Sequence, residues 1–109
     1  MGRMKMKLII KQLAKCTIED FADAHDLTMI VTERNVRGIS SDKKYYAHFE
    51  DAEDKEDFSS PTLESSYGNG SSPDEAIRNY AYKISGRVLI FNATSKKDRL
   101  QIQCPIFIY

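Results

Sequence analysis

The stretch SSPDEAIRNYAYKISGRVLIF, residues 71–91, decides the fold of this chain. Ser72 has the side chain of a good N-cap, Pro73 takes the first helical position, and Glu75 stands three residues after the cap. Five apolar residues follow at helical spacing and form one stripe: Ala76, Ile77, Tyr80, Ala81 and Ile84. The stretch therefore predicts an amphipathic helix over 73–85, which a glycine ends.

Strand patterns lie on both sides of this helix. Before it, residues 27–34, 43–50 and 62–67 carry β-branched or aromatic side chains, and the first two segments alternate along the chain. After it, residues 88–91 form a wholly apolar run, and residues 100–104 alternate apolar with polar side chains. We therefore expect an α+β fold, with a three-stranded antiparallel meander, the helix and one or two further strands in a two-layer sandwich.

A shorter helix is predicted near the start of the chain, over 17–26. Thr17 is its N-cap, and acidic residues fill its first turn, where the helix dipole favours negative charge. The residues before it, 1–16, hold five basic and no acidic side chains. We divide the chain into this basic N-terminal extension and a single α+β domain over 17–109, because about 100 residues suffice for one hydrophobic core.

The overall composition excludes several classes of protein. The 109 residues carry 16 Lys and Arg against 16 Asp and Glu, and this zero net charge disfavours strong non-specific attraction to polyanions. A hydrophobic fraction of 41% is typical of a globular chain, and no run reaches the roughly 20 apolar residues that span a bilayer. Two distant cysteines, with no CxxC pair, predict reduced thiols in a cytoplasmic protein and no zinc site.

The densest charge in the sequence is acidic and lies around residues 51–61, for which we expect a mobile loop. A calcium-binding EF-hand loop is excluded, because Lys55 and Glu56 stand where that loop needs an acid and a glycine. Two interpretations remain: the acids solvate the loop, or they present negative charge to a basic partner. In the second interpretation the partner-binding residues are Glu50, Asp51, Glu53, Asp54, Glu56 and Asp57.

Basic residues toward the two ends of the chain are candidates for contact with nucleic-acid phosphates. They are Lys5, Lys7, Lys11, Lys15, Lys96, Lys97 and Arg99. The string KKYYAHF, residues 43–49, interleaves basic and aromatic side chains, and aromatic residues on a strand can stack on bases. It lacks the glycine of the RNA-recognition signature. Alternation places Tyr45 and Phe49 on the predicted core face, and Tyr46 and His48 on the other face.

The sequence contains none of the common catalytic motifs. It has no GxSxG, no HExxH and no glycine-rich phosphate loop. His25 has no cysteine or serine nucleophile near it in sequence, and His48 alone does not make an active site. We therefore expect a protein that is not an enzyme and that uses no cofactor and no metal ion.

The last four residues, IFIY at 106–109, are all large and apolar. Exposed together, they would form a patch that proteins normally bury. Two interpretations stay open: the segment extends a strand across a homodimer, or it caps the core of its own monomer.

Two stretches of the chain are distinctive as a pair. They are TIEDFADAHDLTMIVTER, residues 17–34, and YGNGSSPDEAIRNYAYKISGRVLIFNA, residues 67–93, with YYAHFE between them. Together they resemble a family of small bacteriophage and prophage proteins, whose pattern reads FAxxHxLTM and then GxGxxPxEAIxxYAxxISGxxL. The resemblance covers roughly residues 17–104. It implies a protein that works in the cytoplasm of a bacterial host, and it assigns no activity.

The segment GSSPDEAI, residues 70–77, has a looser topological similarity to the HicB-type antitoxin domain. In that domain an antiparallel hairpin precedes a helix of the pattern G-x-[ST]-x-[DE]-E-A. The proline- and glycine-rich loop and the DNA-binding tail of that domain have no counterpart in this sequence. The similarity therefore implies a topology and no function by itself.

The phage resemblance, the small size and the acidic segment lead us to expect a non-enzymatic accessory protein that binds a host macromolecule. Its most concrete form is an inhibitor of a bacterial defence nuclease, of the anti-CRISPR kind. Acidic side chains would then compete with nucleic acid for a channel lined with Lys and Arg. The alternative is a small nucleic-acid-binding or HicB-like regulatory module, which would use the basic residues and the aromatic strand.

Overall fold

A computed structural model describes residues 16–95 and 97–108 of the chain. Within these residues the chain forms two α-helices, one short 3-10 helix (Ser41–Lys43) and six β-strands. In chain order the α-helices and strands are α1 (Ile18–His25), β1 (Met29–Glu33), β2 (Tyr45–Phe49), β3 (Ala52–Lys55), β4 (Gly68–Gly70), α2 (Pro73–Ile84), β5 (Val88–Phe91) and β6 (Leu100–Gln103). The expected α+β class and its sandwich-like arrangement are confirmed.

The described strands form two antiparallel sheets of three strands each. The first sheet has the order β1-β2-β4, and the second has the order β3-β5-β6. Only residues 50–51 separate β2 from β3, so the chain passes from one sheet to the other within two residues. Asp51 makes this abrupt change of direction with φ of 57°, a left-handed conformation that aspartate tolerates better than most residues.

Helix α2 packs on the first sheet through the stripe that the sequence predicts. The Glu75 N–H donates to the Ser72 hydroxyl at 3.2 Å, which confirms Ser72 as the N-cap. Ala76, Tyr80, Ala81 and Ile84 are buried, as the helical spacing requires. The Tyr80 ring meets the ring of Phe49 edge-on at 5.5 Å, and this contact joins the helix to β2.

Strand β5 is central in the second sheet, and all four of its residues are buried. Helix α1 contributes Ile18 and Phe21 to the same core, and the Phe21 ring lies 5.2 Å from that of Phe107. Phe107 is thus buried in the core of its own monomer, whereas Ile106 is 72% exposed. Phe107 of the C-terminal segment therefore caps the core of its own monomer. A homodimer through this segment remains a prediction.

The sequence pattern predicts the third strand of the meander at the wrong residues. Residues 62–67 form no strand, and Glu64 alone makes an isolated bridge, with Asp54. The strand that pairs with β2 is β4, which is glycine-rich because α2 lies directly against it. A Cβ atom at Gly68 would overlap the backbone of Ala76 and Tyr80, so only glycine fits this close approach.

The prediction of a mobile loop over 51–61 is wrong for residues 52–55, which form β3. This strand pairs along its whole length with β5, from Ala52↔Phe91 to Lys55↔Val88. The acidic composition predicts a solvated loop, whereas in the fold the charge of Asp54 is neutralised by its ion pair with Arg87. The second sheet therefore contains three strands, β3, β5 and β6, instead of the one or two further strands that the sequence predicts.

Several predicted residues lie outside the described residues. They are the basic extension up to residue 15, with Lys5, Lys7, Lys11 and Lys15, together with Lys96 and Tyr109. Their roles remain predictions.

Candidate functional site

A cleft of about 560 Å³ opens where the two sheets meet. Strand β2 contributes Tyr46 and His48 to its wall, and three further segments contribute residues 51–53, 65–67 and 92–94. Residues 65–67 and 92–94 are far from β2 in sequence, and the pairing of β2 with β4 and of β3 with β5 brings them beside residues 46–53. This volume is in the range of ligand-binding clefts, so we take the cleft as the candidate site.

Three aromatic rings line one side of this cleft, and we call Tyr46, His48 and Tyr67 the aromatic cluster. Tyr46 and His48 share a strand face, as the alternation predicts, and their rings stack with centroids 6.1 Å apart and an interplanar angle of 14°. The Tyr67 ring meets the Tyr46 ring edge-on at 5.9 Å. Tyr46 and His48 are half-buried and Tyr67 is exposed, so the cluster offers ring surface to a ligand.

Two cations of the chain itself contact this cluster. The Arg34 guanidinium carbon lies 4.5 Å from the centre of the Tyr46 ring and 5.6 Å from that of Tyr67. Arg34 Nη1 also donates to Asn69 Oδ1 at 2.6 Å and to the Lys43 carbonyl at 2.7 Å. These bonds fix the guanidinium, and the guanidinium in turn holds the Tyr46 ring in place.

The second cation is Lys83 of α2. Its ammonium nitrogen lies 5.5 Å from the centre of the Tyr67 ring and donates to the Tyr67 carbonyl at 2.9 Å. The helix therefore orients the tyrosine that the sequence pattern did not single out.

One ring nitrogen of His48 makes a hydrogen bond to the backbone. Nδ1 lies 2.9 Å from the carbonyl oxygen of Phe49, an acceptor, so this nitrogen carries a proton. In the neutral imidazole, Nε2 is then an unprotonated acceptor.

The structure brings two of the six predicted acidic residues into the cleft. Asp51 and Glu53 line it, the first exposed and the second half-buried. Glu50, Glu56 and Asp57 are exposed on the same stretch of chain and lie outside the cleft wall. The structure therefore brings only part of the predicted acidic set into the cleft wall.

Asp54 has an internal role instead of a partner-binding one, because only 2% of its surface is exposed. Its Oδ2 accepts from Arg87 Nε at 2.7 Å and from the Ser66 hydroxyl at 2.9 Å, and its Oδ1 accepts from the Ser66 N–H at 3.0 Å. Arg87 also pairs with Glu64 at 3.3 Å. These bonds hold residues 64–66 against β3 and so place the neighbouring Tyr67 at the cleft.

A compact turn follows β3 and carries Glu56 and Asp57. Asp57 Oδ1 accepts from the Ser59 hydroxyl at 2.8 Å and from the N–H groups of Ser59 and Ser60 at 3.0 and 2.8 Å. The Ser59 hydroxyl bond, above all, lowers the pKa of Asp57. Lys55 is buried and donates to the Phe58 carbonyl at 2.9 Å. The turn is thus held by its own side chains.

The described part of the predicted basic set consists of Lys97 and Arg99, both exposed in the connection between β5 and β6. The same connection supplies Asn92, Ala93 and Thr94 to the cleft wall. Asn92 has φ of 54°, a left-handed conformation that asparagine tolerates. Sequence reasoning missed residues 65–67 and 92–94, because only the tertiary fold brings them to the cleft.

Residues 16–95 and 97–108 lack two kinds of feature. These residues contain no group of three or more His, Cys, Asp or Glu side chains arranged to hold a metal ion. No helix in the same residues combines the length and the apolar character needed to cross a membrane.

Comparison with protein-family models, with curated proteins and with solved structures finds no match. The geometry of the cleft and the charge around it are therefore the basis for a functional proposal.

Proposed function

We propose that this chain is a non-enzymatic, phage-type accessory protein that binds a basic surface of a host protein. In its most specific form it inhibits a bacterial defence nuclease by occupying a channel that normally holds nucleic acid. The observation that carries the proposal is an acidic surface in which Asp51 and Glu53 line the cleft and Glu50 and Glu56 are exposed on the same stretch of chain. Charge complementarity of this kind sets association rate and partner choice.

Regular structure holds Glu53 of this surface in place. Glu53 belongs to β3, and the buried ion pair of Asp54 with Arg87 fixes that strand to the start of β5. Side chains on a fixed backbone lose less conformational freedom on binding than side chains on a mobile loop. Pairing of β3 in the sheet therefore supports a role in recognition.

The proposal is tested by capture of partners from a bacterial lysate at low and high salt. We compare the wild-type chain with a variant in which four acids are neutralised, E50Q, D51N, E53Q and E56Q. The matched control removes four exposed acids elsewhere: E19Q, D23N, D42N and D98N.

The expected result is saturable, salt-sensitive capture of a nucleic-acid-binding protein, which added nucleic acid displaces. Capture should be lost in the first variant and kept in the control. The proposal fails if no saturable partner is captured, or if the neutralised variant captures it as well as wild type does.

The aromatic cluster favours a second candidate, a small nucleic-acid-binding module. Tyr46, His48 and Tyr67 could stack on unpaired bases, with Lys97 and Arg99 contacting phosphates. Asp51 and Glu53 argue against this candidate, because they would repel a phosphate in the cleft. A gel shift with DNA and RNA at about 50 mM salt tests this candidate, because phosphate contacts bind most strongly at low salt. A shift would support the candidate, and no shift with either nucleic acid would exclude it.

A further inference from the structure

We propose that the cleft is a receptor for a single arginine side chain, which the protein partner inserts between the aromatic cluster and the carboxylates of Asp51 and Glu53. This inference rests on the proposed function for the source of the arginine. It adds the anchor point of the interface and the chemical group that fills it.

The two carboxylates of the cleft wall favour a cation. Asp51 and Glu53 contribute two carboxylates to the wall, and the described residues that line the cleft include no lysine or arginine. These carboxylates attract a guanidinium or ammonium group and repel a phosphate or carboxylate, and they act against the charges of Arg34 and Lys83, which contact the rings of the aromatic cluster. Each carboxylate can also accept two parallel N–H bonds from a guanidinium, an arrangement that an ammonium cannot make.

The aromatic cluster selects a planar cation among the possible cations. A guanidinium is flat and weakly hydrated, so it stacks on aromatic faces at little desolvation cost. The chain itself provides an example, because Arg34 lies over the Tyr46 ring at 4.5 Å. Tyr46 and Tyr67 also form part of the cleft wall, so both rings border the space that the incoming group would occupy.

The shape of the cleft suits a side chain from a protruding segment. Its volume of about 560 Å³ exceeds that of one arginine side chain, and part of the flanking backbone can enter with it. Asn92 and Thr94 stand on the wall formed by the connection between β5 and β6. Their polar side chains can hydrogen-bond to the backbone of such a segment.

The experiment uses a defined probe and needs no host protein. The full chain, labelled with ¹⁵N and ¹³C, is titrated with the peptide acetyl-Gly-Arg-Gly-amide, and chemical-shift changes are followed by NMR. The matched probe replaces arginine with citrulline, which has nearly the same shape and no charge. We expect the largest shifts at the aromatic cluster, Asp51 and Glu53, and binding of citrulline weaker by about tenfold or more.

Two pairs of variants separate the cleft from general charge and general aromatic surface. D51N with E53Q should weaken arginine binding about tenfold, whereas D23N with D42N, at exposed acids elsewhere on the chain, should change it less than about twofold. Tyr67→Ala should weaken binding about threefold, and Tyr82→Ala, at a tyrosine of α2 that is 72% exposed, should leave it unchanged. The amide spectra of the free variants report whether each one folds.

Three results would overturn the inference. They are equal binding of arginine and citrulline, shifts that map away from the cleft, and tighter binding of a mononucleotide than of arginine in the cleft. If the peptide fails while a host protein is still captured through the acidic surface, the proposed function stands and the arginine anchor is wrong. If the peptide binds and no host protein is captured, the anchor stands and the proposed function is wrong.

Discussion

Arg87 donates from Nε to Oδ2 of Asp54 at 2.7 Å, and this ion pair joins strand β3 to the residue that precedes β5. Asp54 is almost fully buried, and 24% of the Arg87 side chain is exposed. An aspartate can be buried in a strand when a guanidinium and further N–H and O–H donors satisfy its oxygens. The pair therefore explains how an acidic stretch becomes part of a sheet.

We predict that Asp54→Asn lowers the free energy of unfolding by about 2 kcal/mol, because Arg87 loses the closer and more buried of its two carboxylate partners. Urea unfolding at pH 7 measures the change. The matched control is Asp42→Asn at an exposed position, which should alter stability by less than about 0.5 kcal/mol. Equal stability of the Asp54 variant and wild type would show that the pair does not hold β3.

The contact between β4 and α2 gives a second prediction. Gly68→Ala should destabilise the fold by about 3 kcal/mol, since its Cβ would overlap the backbone of Ala76 and Tyr80. Gly38→Ala provides the comparison: φ there is +81°, and a Cβ would meet no atom within 4 Å. It should cost about 1 kcal/mol from backbone strain alone. If the two variants unfolded at the same urea concentration, the close approach of α2 to β4 would be wrong.

The buried Cys104 thiol gives a prediction on pH. Burial raises the pKa of Cys104 from 9.0 to about 12, and burial also raises the pKa of Tyr80. Above pH 9 the thiol ionises in the unfolded chain and stays protonated in the native chain. The unfolded state then binds fewer protons, so stability must fall as pH rises through this window.

A Cys104→Ala variant isolates this effect from that of Tyr80. Wild type should lose stability more steeply than the variant between about pH 9 and pH 11, by about 1 kcal/mol per pH unit. Urea unfolding at several pH values gives both slopes. Identical slopes would mean that the thiol is not buried in the native state.

Arg34 gives a prediction on the aromatic cluster itself. Arg34→Lys keeps the charge but loses the planar group that stacks on Tyr46 and donates to both Asn69 and Lys43. We expect a loss of about 1 kcal/mol in unfolding free energy and shifted NMR signals for the Tyr46 ring. Arg37→Lys, at an exposed position of the connection before β2, should do neither. An unchanged Tyr46 ring signal in the Arg34 variant would refute the stacking.

Local patterns predicted the parts of this fold that local interactions determine. The cap at Ser72 and the apolar stripe define α2 to within one residue of its observed end, since both depend on neighbours in sequence. Local patterns do not predict strand β3, because the buried carboxylate of Asp54 is paired with Arg87, which lies 33 residues later in the chain. No pattern near Asp54 contains that information.

The candidate site was predictable only in part, for the same reason. Alternation places Tyr46 and His48 on one strand face. The density of acidic residues marks Asp51 and Glu53 as candidates for binding a partner. That these residues form one cleft follows from the passage of the chain between sheets at residues 50–51. Tyr67 joins them because the bonds of Asp54 hold the segment before it.

A crystal structure of the chain bound to an arginine-containing peptide tests the central claim most directly. We predict the guanidinium inside the cleft, against the rings of Tyr46 and Tyr67, with Asp51 or Glu53 within about 3 Å of its nitrogens. A peptide bound elsewhere on the surface, beside a cleft that stays unoccupied at saturating peptide, would contradict it.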